Sequence, residues 1–212
     1  MSEKTFVALL SGGLDSVVAL AAAAREARPV LAITFDYGQP AARREAQAAA
    51  RVAAHYGCDQ RGILLDWYRE LLPVALAGGD KAVPDPDTLG AESAAAVWVP
   101  GRNLAMIAVA AAWAEKLGAG EVVCGFNSEE AATFPDNSAA FVAAANHALG
   151  FSSNARVKLV APLASLDKVA IVRLGRELQA PLELAWSCYR GGETPCGRCE
   201  SCQRRQSAEA AV

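Results

Sequence analysis

Two groups of residues in this 212-residue chain have the types and spacing to do chemistry. The first is Leu10-Ser11-Gly12-Gly13-Leu14-Asp15-Ser16, where an apolar run leaves through Ser-Gly-Gly and enters a helical stretch through Asp-Ser. Glycines let backbone N–H groups curl around an anion, and the start of a helix adds partial positive charge. Ser11 and Ser16 can donate hydroxyl hydrogen bonds to phosphate oxygens. Asp15 would repel a bare phosphate, so it suits a place beside Mg²⁺ or a role as a helix cap. The pattern G-x-x-x-x-G-K-[ST] lacks its lysine, and G-x-G-x-x-G finds only an adjacent glycine pair. A strand–turn–helix with purely capping side chains is the plainer reading. Serine on both sides of the glycines, with Asp15 at this spacing, favours anion binding.

The second group is SCYRGGETPCGRCESCQRR, with Cys188, Cys196, Cys199 and Cys202 spaced by seven, two and two residues. Four thiolates with two short C-x-x-C steps suit a tetrahedral ion, and Gly191, Gly192 and Gly197 leave the backbone room to wrap. Zn²⁺ is favoured over an iron–sulfur cluster or redox thiols, because it accepts four sulfurs and is redox-inert. Four protein ligands leave no position for water, so the ion is expected to be structural and to pin the C-terminal segment. Arg190, Arg198, Arg204 and Arg205 would offset the tetrathiolate charge. Cys58 and Cys124 sit in apolar settings and read as core.

Further polar residues fall where strands end. Asp36 and Tyr37 in F-D-Y-G-Q follow the second strand, and ligands of open parallel sheets bind beyond the strands' carboxyl ends. Arg102 in V-P-G-R-N and Lys168 in P-L-A-S-L-D-K are cations in first helical turns, against the dipole unless an anion is near. Asn103 and Ser165 are expected as N-caps. Glu129, Glu130 and Asp136 lie in GFNSEEAATFPDN, an acidic loop that could hold Mg²⁺ or accept from a guanine-like N–H edge. His55 and His147 read as structural.

The elements that must position these residues alternate. Strands are expected at 5–10, 30–36, 61–66, 121–125 and 157–160, and helices at 15–26, 41–56, 104–117, 138–149 and 166–178. Such alternation argues a doubly wound, five-stranded parallel α/β sheet with helices on both faces. The domain reading is 1–182 as an ATP-binding α/β unit, with a mobile loop near 78–100, and 183–212 as a metal-binding segment packed on it. Hydrophobic residues make up 53% of the chain, enough to bury a core and exclude general disorder. The net charge of −3 argues against a domain that grips nucleic acid by its phosphates. No signal peptide or membrane span is visible, so a cytoplasmic protein is expected, without nucleic-acid or membrane partners. In a reducing cytosol the cysteine cluster points to metal before disulfides.

S-G-G-L-D-S resembles the pyrophosphate loop of the ATP pyrophosphatases, which transfer AMP to a substrate and release pyrophosphate. The ordered set of this loop, F-D-Y-G-Q, V-P-G-R-N, F-P-D, P-L-x4-K and S-C-Y-x6-C-G-x-C-x-S-C resembles the 7-cyano-7-deazaguanine synthase family of queuosine precursor synthesis, nearly end to end. The resemblance implies a Rossmann-like, adenine-nucleotide-binding fold. It also implies an ATP-dependent carbon–nitrogen ligase: 7-carboxy-7-deazaguanine is adenylated, ammonia gives the amide, and a second ATP drives formation of the nitrile. It implies ATP contacts at Leu10, Ser11, Gly12, Gly13, Leu14, Asp15, Ser16, Asp36 and Tyr37, and catalytic roles for Asp15, Lys168, Arg102 and Asp136. One structural Zn²⁺ at the four cysteines, Mg²⁺ and a homodimer are further implied. Two departures stand out: Pro40-Ala41 follows Y-G-Q where the family commonly has Arg-His, and Thr133-Phe134-Pro135-Asp136-Asn137 stands where it has G-Y-P-D-C. The alternatives are an AMP-forming relative acting on another deazapurine, a tRNA-thiolating enzyme using Cys124, and a nucleotide-sensing module without turnover.

Overall fold

The computed structural model describes residues 3–72 and 98–212. Five strands, β1 (Thr5–Leu9), β2 (Arg28–Asp36), β3 (Asp59–Leu64), β4 (Glu121–Val123) and β5 (Lys158–Val160), form one sheet. Their order is β3-β2-β1-β4-β5, and every pairing is parallel. Pro29 falls inside β2, where the sequence suggests a boundary. It has no N–H for the ladder, and the β1–β2 register shifts between Phe6 and Val7, opposite it.

Helices α1 (Leu14–Ala23) and α2 (Ala42–His55) follow β1 and β2. Next come α3 (Arg102–Leu117), α4 (Ser128–Thr133), α5 (Ala139–Ser152), α6 (Lys168–Glu177) and α7 (Glu200–Ala210). One face of the sheet buries Phe6, Val17, Leu20, Val52 and Ile171 with α1, α2 and α6. The other buries Val7, Ile33, Ile107, Val122 and Leu149 with α3 and α5. Strands covered on both faces read as continuous apolar runs, which is why TFVAL and VLAIT carry no alternation.

Three local expectations are corrected. Asn103 is not the cap of α3: Gly101 takes that position in a left-handed conformation, and Asn103 sits buried in the first turn. Ser165 does not cap α6; the carboxylate of Asp167 accepts from the N–H of Ala170 instead, at 2.7 Å. The stretch after β4 is not all loop, because the Asn127 side chain caps the short α4. Of the expected mobile loop at 78–100, residues 78–97 lie outside the described residues.

The chain order reverses at β1, whose neighbours β2 and β4 are followed by helices on opposite faces. That switch point opens a crevice beyond the strand ends. The turn leaving β1 is Leu10 to Gly13, so the fold sets the Ser-Gly-Gly stretch at the mouth of the crevice.

Candidate functional site

Gly12 determines how the first turn is built. Its φ is +82°, and a Cβ there would lie 2.7 Å from the carbonyl oxygen of Glu45 and 2.9 Å from the Cβ of Ala48. The missing side chain lets the turn press against α2. The turn is also tied internally: Ser11 Oγ accepts from the Gly13 N–H at 3.2 Å and lies 3.1 Å from Ser16 Oγ. Ser16 Oγ donates to the Gly13 carbonyl at 2.9 Å.

A cavity of about 370 Å³ opens beside this turn, within the size range of small-molecule sites. Leu10, Ser11, Gly13, Leu14, Asp15, Ser16, Tyr37, Arg102, Asp136 and Lys168 all line it. These residues span more than 150 positions and converge on one chamber. Gly12 and Asp36 are not among the lining residues. Gly12 faces α2, and Asp36 closes a turn by accepting from the Gly38 N–H at 2.9 Å.

Asp15 and Lys168 form the tightest contact in the chamber: Nζ of Lys168 lies 2.5 Å from Oδ2 of Asp15 and 3.8 Å from Oε1 of Glu130. Asn127 Nδ2 donates to the same Oδ2 at 3.1 Å, while Oε1 of Glu129 accepts from the Lys168 N–H at 2.8 Å. Burial, and then the negative charge of Asp15, push the Glu130 carboxyl above its ordinary range, with Lys168 pulling the other way. Oδ1 of Asp15 is buried and has no hydrogen-bond partner among the described residues. A buried carboxylate oxygen left unpaired is costly. Asp15 and Glu130 together therefore suit a hard divalent cation such as Mg²⁺.

Across the chamber, the half-buried Arg102 donates to Tyr37 Oη at 3.1 Å, and its guanidinium lies 5.3 Å from the Tyr37 ring centroid. Burial, outweighing the pull of Arg102, raises the Tyr37 phenol. Burial also raises Asp136, against the opposing charge of Arg102.

The C-terminal segment forms one wall. The sulfurs of Cys188, Cys196, Cys199 and Cys202 lie within 4.8 Å of one another. Four sulfurs at about 2.3 Å from one ion would sit roughly 3.8 Å apart, so the quartet fits a tetrahedral metal. Backbone N–H groups of Arg190 and Cys196 donate to Cys188 Sγ at 3.4 Å, and that of Cys199 to Cys196 Sγ at 3.3 Å. Such bonds favour thiolate. Burial opposes ionisation of Cys196, yet backbone and neighbouring-thiol hydrogen bonds bring it down to about 6. The same segment closes the chamber with Trp186, Tyr189 and Arg204. Trp186 donates its backbone N–H to the Gly12 carbonyl at 2.8 Å and its indole N–H to the Cys188 carbonyl at 2.8 Å. The cysteine cluster and the first turn are thus one residue apart in hydrogen bonding.

Sequence reasoning missed Glu45, which lines the cavity and accepts from Gln39 Nε2 at 2.8 Å. A signal was present: Glu45 falls at helical spacing with Ala41, Ala48, Ala49 and Val52, all buried, so it is a carboxylate on an apolar stripe. Trp186 and Tyr189 had no such signal, because only tertiary packing brings them to the chamber.

Residues 5–212 match the family model for queuosine biosynthesis protein QueC. A 7-cyano-7-deazaguanine synthase of Methanosarcina mazei is 47% identical over 212 residues, covering 95% of this chain and 92% of that protein. One of Carboxydothermus hydrogenoformans is 47% identical over 213 residues, covering 97% and 98%. Among solved structures, the U34-tRNA thiolase NcsA of Methanococcus maripaludis, with its [4Fe-4S] cluster, superposes with a TM-score of 0.52 at 14% identity, covering all of this chain and 66% of that one. A 4-thiouridine synthetase in complex with RNA and ATP gives 0.51 at 21% identity, and this chain spans half its length. At those identities the likeness extends to the fold.

Proposed function

The chain belongs to the queuosine biosynthesis protein QueC family, and we propose on that premise that it is an ATP-dependent ligase making 7-cyano-7-deazaguanine from 7-carboxy-7-deazaguanine and ammonia. The observation that carries the reading to the residues is the single chamber faced by the Ser-Gly-Gly turn, the Asp15–Lys168 pair and Arg102.

The reaction has two difficult steps, because neither a carboxylate oxygen nor an amide oxygen leaves readily. Transfer of AMP to each oxygen makes it a leaving group. Ammonia then displaces AMP from the acyl carbon, and the second AMP departs as the nitrile forms. The protein's task is to align the α-phosphorus with the attacking oxygen and neutralise the charge that develops. The N–H groups and hydroxyls of Ser11, Gly13 and Ser16 would take the departing pyrophosphate at the start of α1. Lys168 would move from Asp15 toward phosphate oxygens as the nucleotide enters. Arg102, hydrogen-bonded to Tyr37, would meet a substrate carboxylate or the α-phosphate from the opposite side. Asp15 and Glu130 would hold Mg²⁺, which supplies charge neutralisation to the phosphates.

The four cysteines would hold a structural Zn²⁺ that pins residues 183–212 against an α/β domain of residues 1–182. Hydrogen bonds across that boundary support the docking: Arg205 Nη2 to Leu182 O at 2.9 Å, Arg44 Nε to Gly192 O at 2.8 Å and Arg51 Nη2 to Leu184 O at 3.3 Å. A cytoplasmic homodimer is part of the same proposal.

A thiolating role wants a nucleophilic cysteine in the nucleotide domain. Cys124 lines the chamber, but burial pushes its thiol up to about 12, and its Sγ faces the Val160 carbonyl at 3.6 Å. That setting disfavours thiolate chemistry. The deciding assay combines purified protein with ATP, Mg²⁺, ammonium and 7-carboxy-7-deazaguanine. Release of AMP with a nitrile product supports the ligase. AMP release only with tRNA and a sulfur donor supports thiolation, and bound but uncleaved ATP supports a sensor.

A further inference from the structure

Trp98 and Phe134 come from segments 36 positions apart, yet their rings lie nearly parallel in the cavity wall, with 12° between planes and 6.1 Å between centroids. Neither ring belongs to the hydrophobic clusters that fill the two faces of the sheet. Two nearly parallel aromatic rings in the wall of a ligand chamber offer a face on which a flat heteroaromatic ring can stack. The chamber must take two such rings, adenine and the deazapurine, and the adjoining polar group separates them.

That group is Asp136, two residues beyond Phe134. Its Oδ1 accepts from Asn137 Nδ2 at 3.2 Å, and Asn103 Nδ2 donates to its backbone carbonyl at 3.4 Å. The turn is stiff: Pro135 opens it, Phe134 N–H donates to the Glu130 carbonyl at 2.7 Å, and Ser138 Oγ donates to the Pro135 carbonyl at 2.7 Å. A carboxylate is an acceptor only. It matches the two adjacent donors of a guanine-type edge, ring N–H and exocyclic amine. The corresponding edge of adenine offers one donor and one acceptor. The same segment begins at Asn127, which holds Asp15 of the phosphate-facing turn. One short stretch therefore joins the ring platform to the nucleotide end of the chamber.

We propose that Trp98, Phe134 and Asp136 form the subsite for the 7-deazaguanine ring, its flat face on the aromatic pair and its donor edge on the carboxylate. This rests on the ligase reading above and adds to it the residues that select the base.

The test measures KM separately for 7-carboxy-7-deazaguanine and for ATP. Trp98→Ala and Phe134→Leu should each raise KM for the deazapurine by about tenfold or more while changing that for ATP by less than about twofold. Phe134→Tyr, which keeps the ring, should recover most of the deazapurine affinity that Phe134→Leu loses. Thermal melts identify variants that fail to fold, and Phe134→Leu preserves apolar volume for that reason. A rise in KM for ATP alone would show that the pair holds adenine and overturn the assignment, as would no change in either. Inactivity of the unmodified protein toward 7-carboxy-7-deazaguanine would sink the ligase reading instead. The subsite is then tested by calorimetric binding of guanine and adenine to protein saturated with a non-hydrolysable ATP analogue. Guanine binding that is lost in Phe134→Leu sustains it; equal binding of both bases refutes it.

Discussion

Nζ of Lys168 lies 2.5 Å from Oδ2 of Asp15, although the two residues are 153 positions apart. Each stands in the first turn of a helix, α6 and α1, on the same side of the sheet. A lysine at a helix start opposes the dipole, and Asp15 together with Glu129 and Glu130 compensates it. The pair is a charged bridge between two helix starts, and both residues line the chamber.

Asp15→Ala should abolish AMP release while leaving the metal content of the C-terminal cluster unchanged, as read by nucleotide chromatography and elemental analysis. Lys168→Met should slow AMP formation by about a hundredfold or more, the scale of removing one preorganised charge from a transition state. Near-normal rates in either variant would remove the pair from the mechanism.

Glu130 makes a pH prediction. Its raised carboxyl takes a proton at a higher pH than an ordinary glutamate, and the protonated form is a poor cation ligand. Apparent Mg²⁺ affinity should therefore fall as pH drops, with a midpoint above the usual glutamate range. Glu130→Gln should flatten that limb. Without cation the sign for stability is opposite: the folded chain binds this proton more tightly than the unfolded chain. The contribution of Glu130 is then greatest below the unfolded value and is lost as pH rises through the folded one.

Cys199→Ser should lower metal content and thermal stability together, because three remaining thiolates cannot close a tetrahedral site. Nucleotide affinity should fall as well, since Trp186 and Tyr189 reach the chamber from the same segment. Full loss of the metal with an unchanged melting curve and unchanged ATP binding would refute the coupling.

Gly12→Ala tests the contact between turn and helix. The position combines a left-handed φ with a would-be Cβ 2.7 Å from backbone oxygen, so strain on the order of 1–3 kcal/mol is expected. At roughly 2–4 °C per kcal/mol for a chain this long, differential scanning calorimetry should resolve the drop. A melt equal to the parent would mean that the turn relaxes freely. Gly191→Ala should behave similarly, because its Cβ would collide with the Pro40 carbonyl oxygen.

The repeating strand–helix order, the anion-suited turn at 10–16 and the four-sulfur spacing at 188–202 are legible in the order of residues alone. Each is a local pattern: periodicity, turn chemistry and ligand spacing are written over a few adjacent residues. Boundaries near Pro29, Asn103 and Ser165 were less legible, because neighbouring groups compete for the same backbone partners and packing chooses among them. Asp167, not Ser165, wins the cap of α6, and Gly101 frees Asn103 to support Asp136. Which polar residues share a chamber is set by the folded arrangement instead. It paired Lys168 with Asp15, turned Gly12 toward α2, admitted Glu45 and set Trp98 beside Phe134. Those relationships join positions far apart in the chain, and strand order in the sheet, which no local pattern encodes, brings them within a few ångströms.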